Sequence, residues 1–393
     1  MICFLARFFI RDYDQVKVPK VRQSYGILSG ILGIGLNIFL FLTKFIAGLI
    51  SGSISIFGDA FNNLSDAASS IVTFIGFKLA GEEADEQHPF GHGRLEYIAG
   101  LIVSLFIILT GCEVVRTSVN KIFAPEKTEF NLTIAVILIV SIFIKLLMFQ
   151  GNLQAAQKID SQTLKSVAMD SISDVFTTSV VLASSIFAYK TGIIVDGFFG
   201  VFVGFFIIRT GYEAAKDTIN PLLGEPPSKE FVQEVKNTVM AHEGILGVHD
   251  LLVHNYGPSR IIMSLHVEVP DNQNIVTVHD LIDDIENELR QQYHCTAVIH
   301  MDPVASGDIE TEYLKSKVRL FLNQLGTELT FHDFRLVHHK SGEKRVSFDV
   351  QVPYKYDLKD DKIVDYLTQH LKDIEPNISL DIDVDKMTKG EEE

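Results

Sequence analysis

The stretch FGDAFNNLSDAASSIVTFIGF, residues Phe57–Phe77, is apolar enough to cross a bilayer, yet it carries Asp59, Asn62, Asn63 and Asp66. Each such group costs several kcal/mol, roughly, when moved into hydrocarbon without a partner. Asn62 and Asp66 stand four apart and Asp59 lies one turn earlier, so the three share one helix face. Asn63 points off that face and suits helix–helix hydrogen bonding. A second stretch, SVAMDSISDVFTTSVVLASS from Ser166, repeats the four-residue spacing with Asp170 and Asp174.

Around these stretches the chain of 393 residues splits in composition. Most of its apolar residues lie between about Tyr25 and Ala215, and the remainder is charged and periodic, which predicts a membrane domain followed by a soluble one. Six spans are expected at about 27–50, 54–80, 95–118, 129–149, 164–188 and 192–216. SGS at Ser51–Ser53 and KTG at Lys190–Gly192 are the tightest connections. Arg7, Arg11, Lys17, Lys20 and Arg22 precede the first span, which places both termini in the cytoplasm; Arg116, Lys121 and Lys127 on the outer side run against that bias. The opening MICFLARFFIRDYDQ, broken by Arg7 and Arg11, is a poor signal peptide and reads as a short amphipathic helix on the membrane surface. A net charge of −16 argues against a nucleic-acid partner, since a phosphate backbone calls for Lys and Arg on the protein. Cys3, Cys112 and Cys295 are too scattered for a disulfide framework or a CxxC metal site.

This orientation sets depth. The second span enters from outside and the fifth from the cytoplasm, so both polar pairs lie about 8–12 residues in, roughly 12–18 Å at 1.5 Å per residue. That is near the middle of a hydrocarbon core about 30 Å thick. Intramembrane carboxylates mark a functional site, although hydrogen-bonded glue between helices is the bland alternative. Two same-face pairs at one depth favour a cage for a divalent cation. Three close carboxylates in low dielectric cannot all stay ionised, and metal binding must expel the protons they take up, so the cage exchanges metal for protons.

The motifs DAFNNLSD in the second span, DSISD in the fifth and HPFGHGRLEYIA before the third resemble those of the cation diffusion facilitator (CDF) family of divalent-metal/proton antiporters, over about Ser24–Val304. The resemblance implies an α-helical membrane protein with six transmembrane helices, a ferredoxin-like cytoplasmic domain, a homodimer, and transport out of the cytoplasm across the plasma (cell) membrane by alternating access. Carried over by position, the transport site is Asn62, Asp66, Asp170 and Asp174. Zinc-transporting members have His or Asp at the Asn62 and Asp170 positions. The Asn-Asp-Asp-Asp set resembles the bacterial manganese-exporting members, and an all-oxygen cage favours Mn²⁺ over Zn²⁺, Fe²⁺ or Cd²⁺. The chain is thus expected to be a secondary transporter with no cofactor beyond its transported ion. Asp59 suits either release of the ion or capping of the helix start.

In ADEQHPFGHGRLEY, Asp85, His88 and His92 are spaced for a surface divalent site, and the resemblance makes them the family's second, cytoplasmic-face site; a tight turn held by the Gly and Pro residues is the structural alternative. Arg94 matches a basic position that ties the family's two domains together, but Asn220 stands where its acidic partner would be.

Beyond the Pro-rich NPLLGEPPSKE, amphipathic and alternating segments give the order αββαβ of an α+β ferredoxin-like half-sandwich. The order recurs without a gap at an offset of 83 positions, with His249–Asp250 on His332–Asp333 and Pro270 on Pro353. Expected boundaries are an N-terminal segment 1–22, a transport domain 23–218, a dimerisation domain 219–304, and a second repeat 305–393 ending in a disordered acidic tail. His249, His266, His279, His300 and Asp302 resemble the family's dimer-interface metal site. Asp349, Lys362 and Asp383 replace His266, His279 and His300 in the second copy, so no equivalent site is expected there. Two rivals remain: an intramembrane metal-dependent lipid enzyme, which would need a further acidic or basic cluster beside DxxxD, and a membrane-anchored metal sensor, which would have no reason to bury carboxylates.

Overall fold

The computed structural model describes the chain except residues 17, 52–53, 125–131, 192–195, 259, 305–307, 339–343 and 388–393. The expected acidic tail and the two tightest connections between spans fall on, or run into, residues outside those described. Two compact units result, one of Met1–Gly224 with Asn255–Arg260, the other of Glu225–His254 with Ile261–Glu393.

The first unit begins with a short helix α1 (Ile2–Phe9) and continues with six long ones: α2 (Pro19–Ser51), α3 (Ile54–Ala80), α4 (Leu95–Phe123), α5 (Leu132–Ile159), α6 (Gln162–Thr191) and α7 (Asp196–Leu223). The shortest of the six, at 27 residues, is about 40 Å long, more than a bilayer core requires. Among the described residues, five of the six are long and apolar enough by themselves to cross a membrane; α3, expected from sequence to be apolar enough, falls short because Asp59, Asn62, Asn63 and Asp66 lower its hydropathy. Sides are inverted relative to a soluble bundle. Phe39, Leu109, Phe143 and Phe202 are exposed, whereas Asn37, Lys44, Asn63, Asp66, Lys145 and Asp174 are buried. Both α5 and α7 outrun their expected spans, and α7 passes through Pro221 to Leu223, beyond the expected boundary at residue 218.

Helices α4 and α7 approach closely on small residues. A Cβ at Gly204 would sit 3.0 Å from the Val115 nitrogen and 3.1 Å from the Gly111 carbonyl oxygen, so only glycine fits there. Where α2, α4 and the α5–α6 turn meet, a buried ion pair replaces apolar contact. Arg22, read from sequence as a topogenic charge, donates through Nη2 to Glu96 at 2.8 Å and through Nε to the Ile159 carbonyl at 2.9 Å. Ser161 donates to the same carboxylate at 2.7 Å. Helix α1 forms as expected, packing Ile2 and Ala6 against Tyr25, Phe77 and Leu164 and leaving Phe4, Phe8 and Phe9 exposed. Within this unit, Arg94 donates to the Asn255 carbonyl at 3.0 Å and lies over the Tyr256 ring at 4.5 Å, partners that need no acidic residue.

The second unit holds the two expected αββαβ repeats. The first comprises α8 (Lys229–Met240), β1 (Gly247–Asn255), β2 (Ile261–Pro270), α9 (Ile275–Tyr293) and β3 (Cys295–Val304). The second comprises α10 (Ile309–Leu325), β4 (Thr330–His338), β5 (Lys344–Pro353), α11 (Asp360–Ile374) and β6 (Ile378–Met387). Sheet orders are β1-β2-β3 and β4-β5-β6. Parallel pairing begins at Ile261↔Cys295 in one copy and Lys344↔Ile378 in the other, the same register displaced by the sequence offset. Asp250 and Asp333 even share a left-handed backbone, with φ of 51° and 50°. Each repeat closes its own core, around Val235, Leu265 and Ile285 in the first and Val318, Phe348 and Leu367 in the second. In α8 the buried positions are Val232, Val235 and Val239, while Phe231 packs at the margin of the core against Tyr293.

Glu96→Ala strands the Arg22 guanidinium without its carboxylate. The expected loss is about 3–5 kcal/mol, read as a lower unfolding midpoint of the detergent-purified protein, with a smaller loss for Glu96→Gln.

Candidate metal centre

Helices α3 and α6 bring the two polar pairs together inside the bundle. One carboxylate oxygen each from Asp66, Asp170 and Asp174 lies within 4.8 Å of the others. Ligands of a divalent ion at roughly 2.0–2.6 Å stand up to about 4–5 Å apart across it, so a small contraction would close this set on one ion. Asn62 joins from one turn away, its Nδ2 3.4 Å from Asp174 Oδ1; turning the amide would present its oxygen instead. The side chain of Asp59 lies outside the described residues.

The centre contains a residue that the motif reading missed. Lys145, on α5, donates from Nζ to Asp66 Oδ2 at 2.7 Å and to Asp174 Oδ2 at 2.5 Å. Its side chain is 3 % exposed, so the ammonium is fully withdrawn from solvent. A lone lysine in the apolar run SIFIKLLMF was the available signal, since an intramembrane charge needs a partner. The centre thus sets three carboxylates against the Lys145 ammonium, with the buried Lys44 also acting electrostatically on Asp66, an excess of acidic groups that suits a cation.

Asp85, His88 and His92 also converge, with one ligand atom each within 4.8 Å. The imidazoles of His88 and His92 lie 3.5 Å and 3.6 Å from the Asp85 carboxylate. Amide hydrogen bonds from His88 and Gln87 hold that carboxyl below its usual range. The turn and the ligand arrangement are therefore one structure: the backbone bonds that make the turn also aim Asp85 at both rings.

The four candidate histidines of the first repeat separate into two groups. His249, His266 and Asp302 form a cluster, with His266 Nδ1 2.8 Å and His249 Nε2 3.6 Å from Asp302 Oδ2. His300 reaches the other oxygen at 3.4 Å. Burial opposes charge on His249, but Asp250 and Asp302 hold its pKa above the ordinary value. His279 does not join them. Strand alternation puts His266, His300 and Asp302 on the sheet face opposite the core residues Met263, Leu265 and Val267, whereas His279 rides on α9, which covers the core face, and meets Asp283 at 3.5 Å. The cluster is also partly neutralised by a residue of the second repeat, because Arg335 ion-pairs with Asp302.

Comparison with known proteins gives two family matches, the cation efflux transmembrane domain over residues 30–223 and the cation efflux protein cytoplasmic domain over residues 227–304. The chain is similar to an uncharacterised transporter of Methanocaldococcus jannaschii, 34% identical over 70% of this chain and 97% of the relative. It is also similar to the cation-efflux pump FieF of Klebsiella pneumoniae, 28% identical over 72% of this chain and 95% of that protein, and to FieF of Salmonella newport at 26% over the same shares.

Proposed function

This chain belongs to the cation diffusion facilitator family and is a multi-pass cation-efflux transporter, and we propose that it exports Mn²⁺ from the cytoplasm in exchange for protons at Asn62, Asp66, Asp170 and Asp174. The observation that carries this reading is the convergence of Asp66, Asp170 and Asp174 inside the bundle, with Lys145 bonded to two of them. Within the proposal, the Lys145 ammonium is a tethered stand-in for the cargo. It competes with the incoming ion for the Asp66 and Asp174 oxygens, so loading displaces it and unloading lets it return. An empty carrier whose carboxylates are compensated in this way can reset without a bare negative site in low dielectric.

The metal preference rests on donor chemistry. Carboxylate and amide oxygens suit Mn²⁺, and the absence of imidazole removes the donor that favours Zn²⁺. We read the Asp85–His88–His92 cluster as an outlying divalent site, the working unit as a homodimer, and the membrane as the plasma membrane with both termini cytoplasmic. The cytoplasmic-domain match and the efflux pumps among the relatives support that assignment.

The deciding experiment is flux into proteoliposomes under an imposed pH gradient, comparing Mn²⁺ with Zn²⁺. Asp170→Ala is expected to abolish proton-driven flux, and retained flux would move the site elsewhere. Asn62→His should raise the Zn²⁺:Mn²⁺ flux ratio, because an imidazole nitrogen suits Zn²⁺ better than an amide oxygen does; an unchanged ratio would sink the donor argument. Lys145→Met removes the competitor, so Mn²⁺ should bind at least about tenfold more tightly and turn over more slowly. Dialysis of the purified variant checks the first effect and vesicle flux the second.

A further inference from the structure

The face where the two repeats meet carries a second cluster of metal-ligating side chains. Displacing His249, His266 and Asp302 by the repeat offset gives His332, Asp349 and Asp385. These three, joined by Asp250 of the first repeat, each bring one ligand atom within 4.8 Å of the others. The second repeat thus gathers metal-ligating side chains at the equivalent positions, where the loss of its histidines led us to expect none. Replacing His266 by Asp349 changes the donor from nitrogen to oxygen but keeps its position, because both residues sit at the same register of the central strand, opposite His300 and Asp383 respectively.

The surroundings of this cluster call for a cation. The His332 side chain is 8 % exposed, with Nε2 3.0 Å from Asp250 Oδ1, and its Nδ1 is buried without a hydrogen-bond partner. Asp349 is half-buried and has Asp385, Asp333 and Asp383 as charged neighbours. The Arg335 guanidinium acts on Asp349 electrostatically, but its ion pairs are with Asp302 and Asp333. The first cluster differs on this point, since Arg335 already neutralises Asp302 there. The rings of His249 and His332 lie 4.5 Å apart, so the two clusters flank the contact between equivalent positions of the two copies.

We propose that Asp250, His332, Asp349 and Asp385 bind a hard divalent cation of the Mn²⁺ class and thereby clamp the second repeat to the first. Three carboxylate ligands and one imidazole suit such an ion better than the imidazole-rich set of the first repeat. One ligand comes from the first repeat and three from the second, so occupancy couples their packing. The site is separate from the transport centre and does not depend on the transport reading.

The test uses the full-length protein in detergent, stripped with EDTA and dialysed against Mn²⁺, with bound metal counted per chain. Asp349→Asn/Asp385→Asn is expected to bind one Mn²⁺ fewer than wild type, and Asp250→Asn to bind that ion at least tenfold more weakly. An equal Mn²⁺ count and affinity in wild type and the double variant would overturn the proposal. Should the double variant unfold at a lower temperature than wild type in EDTA, Asp349→His decides instead. It keeps a ligand in place, so the metal count should hold while the Zn²⁺:Mn²⁺ ratio bound rises at least tenfold, and an unchanged ratio would equally overturn the site.

Discussion

The membrane unit turns on the Lys145 ammonium lying between Asp66 and Asp174. Helices α3, α5 and α6 each contribute a charge that could not be buried alone, because removing one partner of such a group leaves the others uncompensated at a cost of about 3–5 kcal/mol. Together they fix which faces of three helices turn inward. The rest of the bundle follows from that requirement: polar groups inside, phenylalanines and leucines outside, and glycine where α4 and α7 press together. The same constraint ties architecture to chemistry. A centre that is stable only when a cation bridges its carboxylates is already prepared to exchange one cation for another.

A related economy operates in the soluble unit, with a different outcome. Two copies of one fold present their helix-free sheet faces to one another around His249 and His332, and histidines and aspartates at equivalent positions face a common junction. The copies solve the resulting concentration of charge differently. In the first, a guanidinium from the second repeat neutralises Asp302; in the second, Asp349 has aspartates for neighbours. A duplicated fold has therefore produced two chemically distinct environments from one backbone pattern. The left-handed kink at Asp250 and Asp333 shows how closely the backbones agree while the side chains diverge.

Much of this was written in local sequence. Hydrophobic run length marked the helices that became α2–α7, and the four-residue spacing of Asn62 with Asp66 and Asp170 with Asp174 placed each pair on one face, because both properties depend only on helix geometry. The 83-residue offset likewise carried the second repeat down to its strand register. Spacing of Asp85, His88 and His92 was enough to bring them together, since a turn closes within the segment itself.

Tertiary structure decided whatever required two distant segments to meet. That Lys145 would reach Asp66 and Asp174, that Arg22 would be spent on Glu96, and that Arg335 would seek Asp302 are facts of helix and strand placement, separated by tens of residues or more in the chain. His279 shows the converse. Its residue type and family position grouped it with the sheet histidines, but strand alternation put those on one face and the helix put His279 over the other. Periodicity is a property of a single element and is legible in a line of letters; charge compensation belongs to the packed whole, because a buried group takes whichever partner the fold delivers.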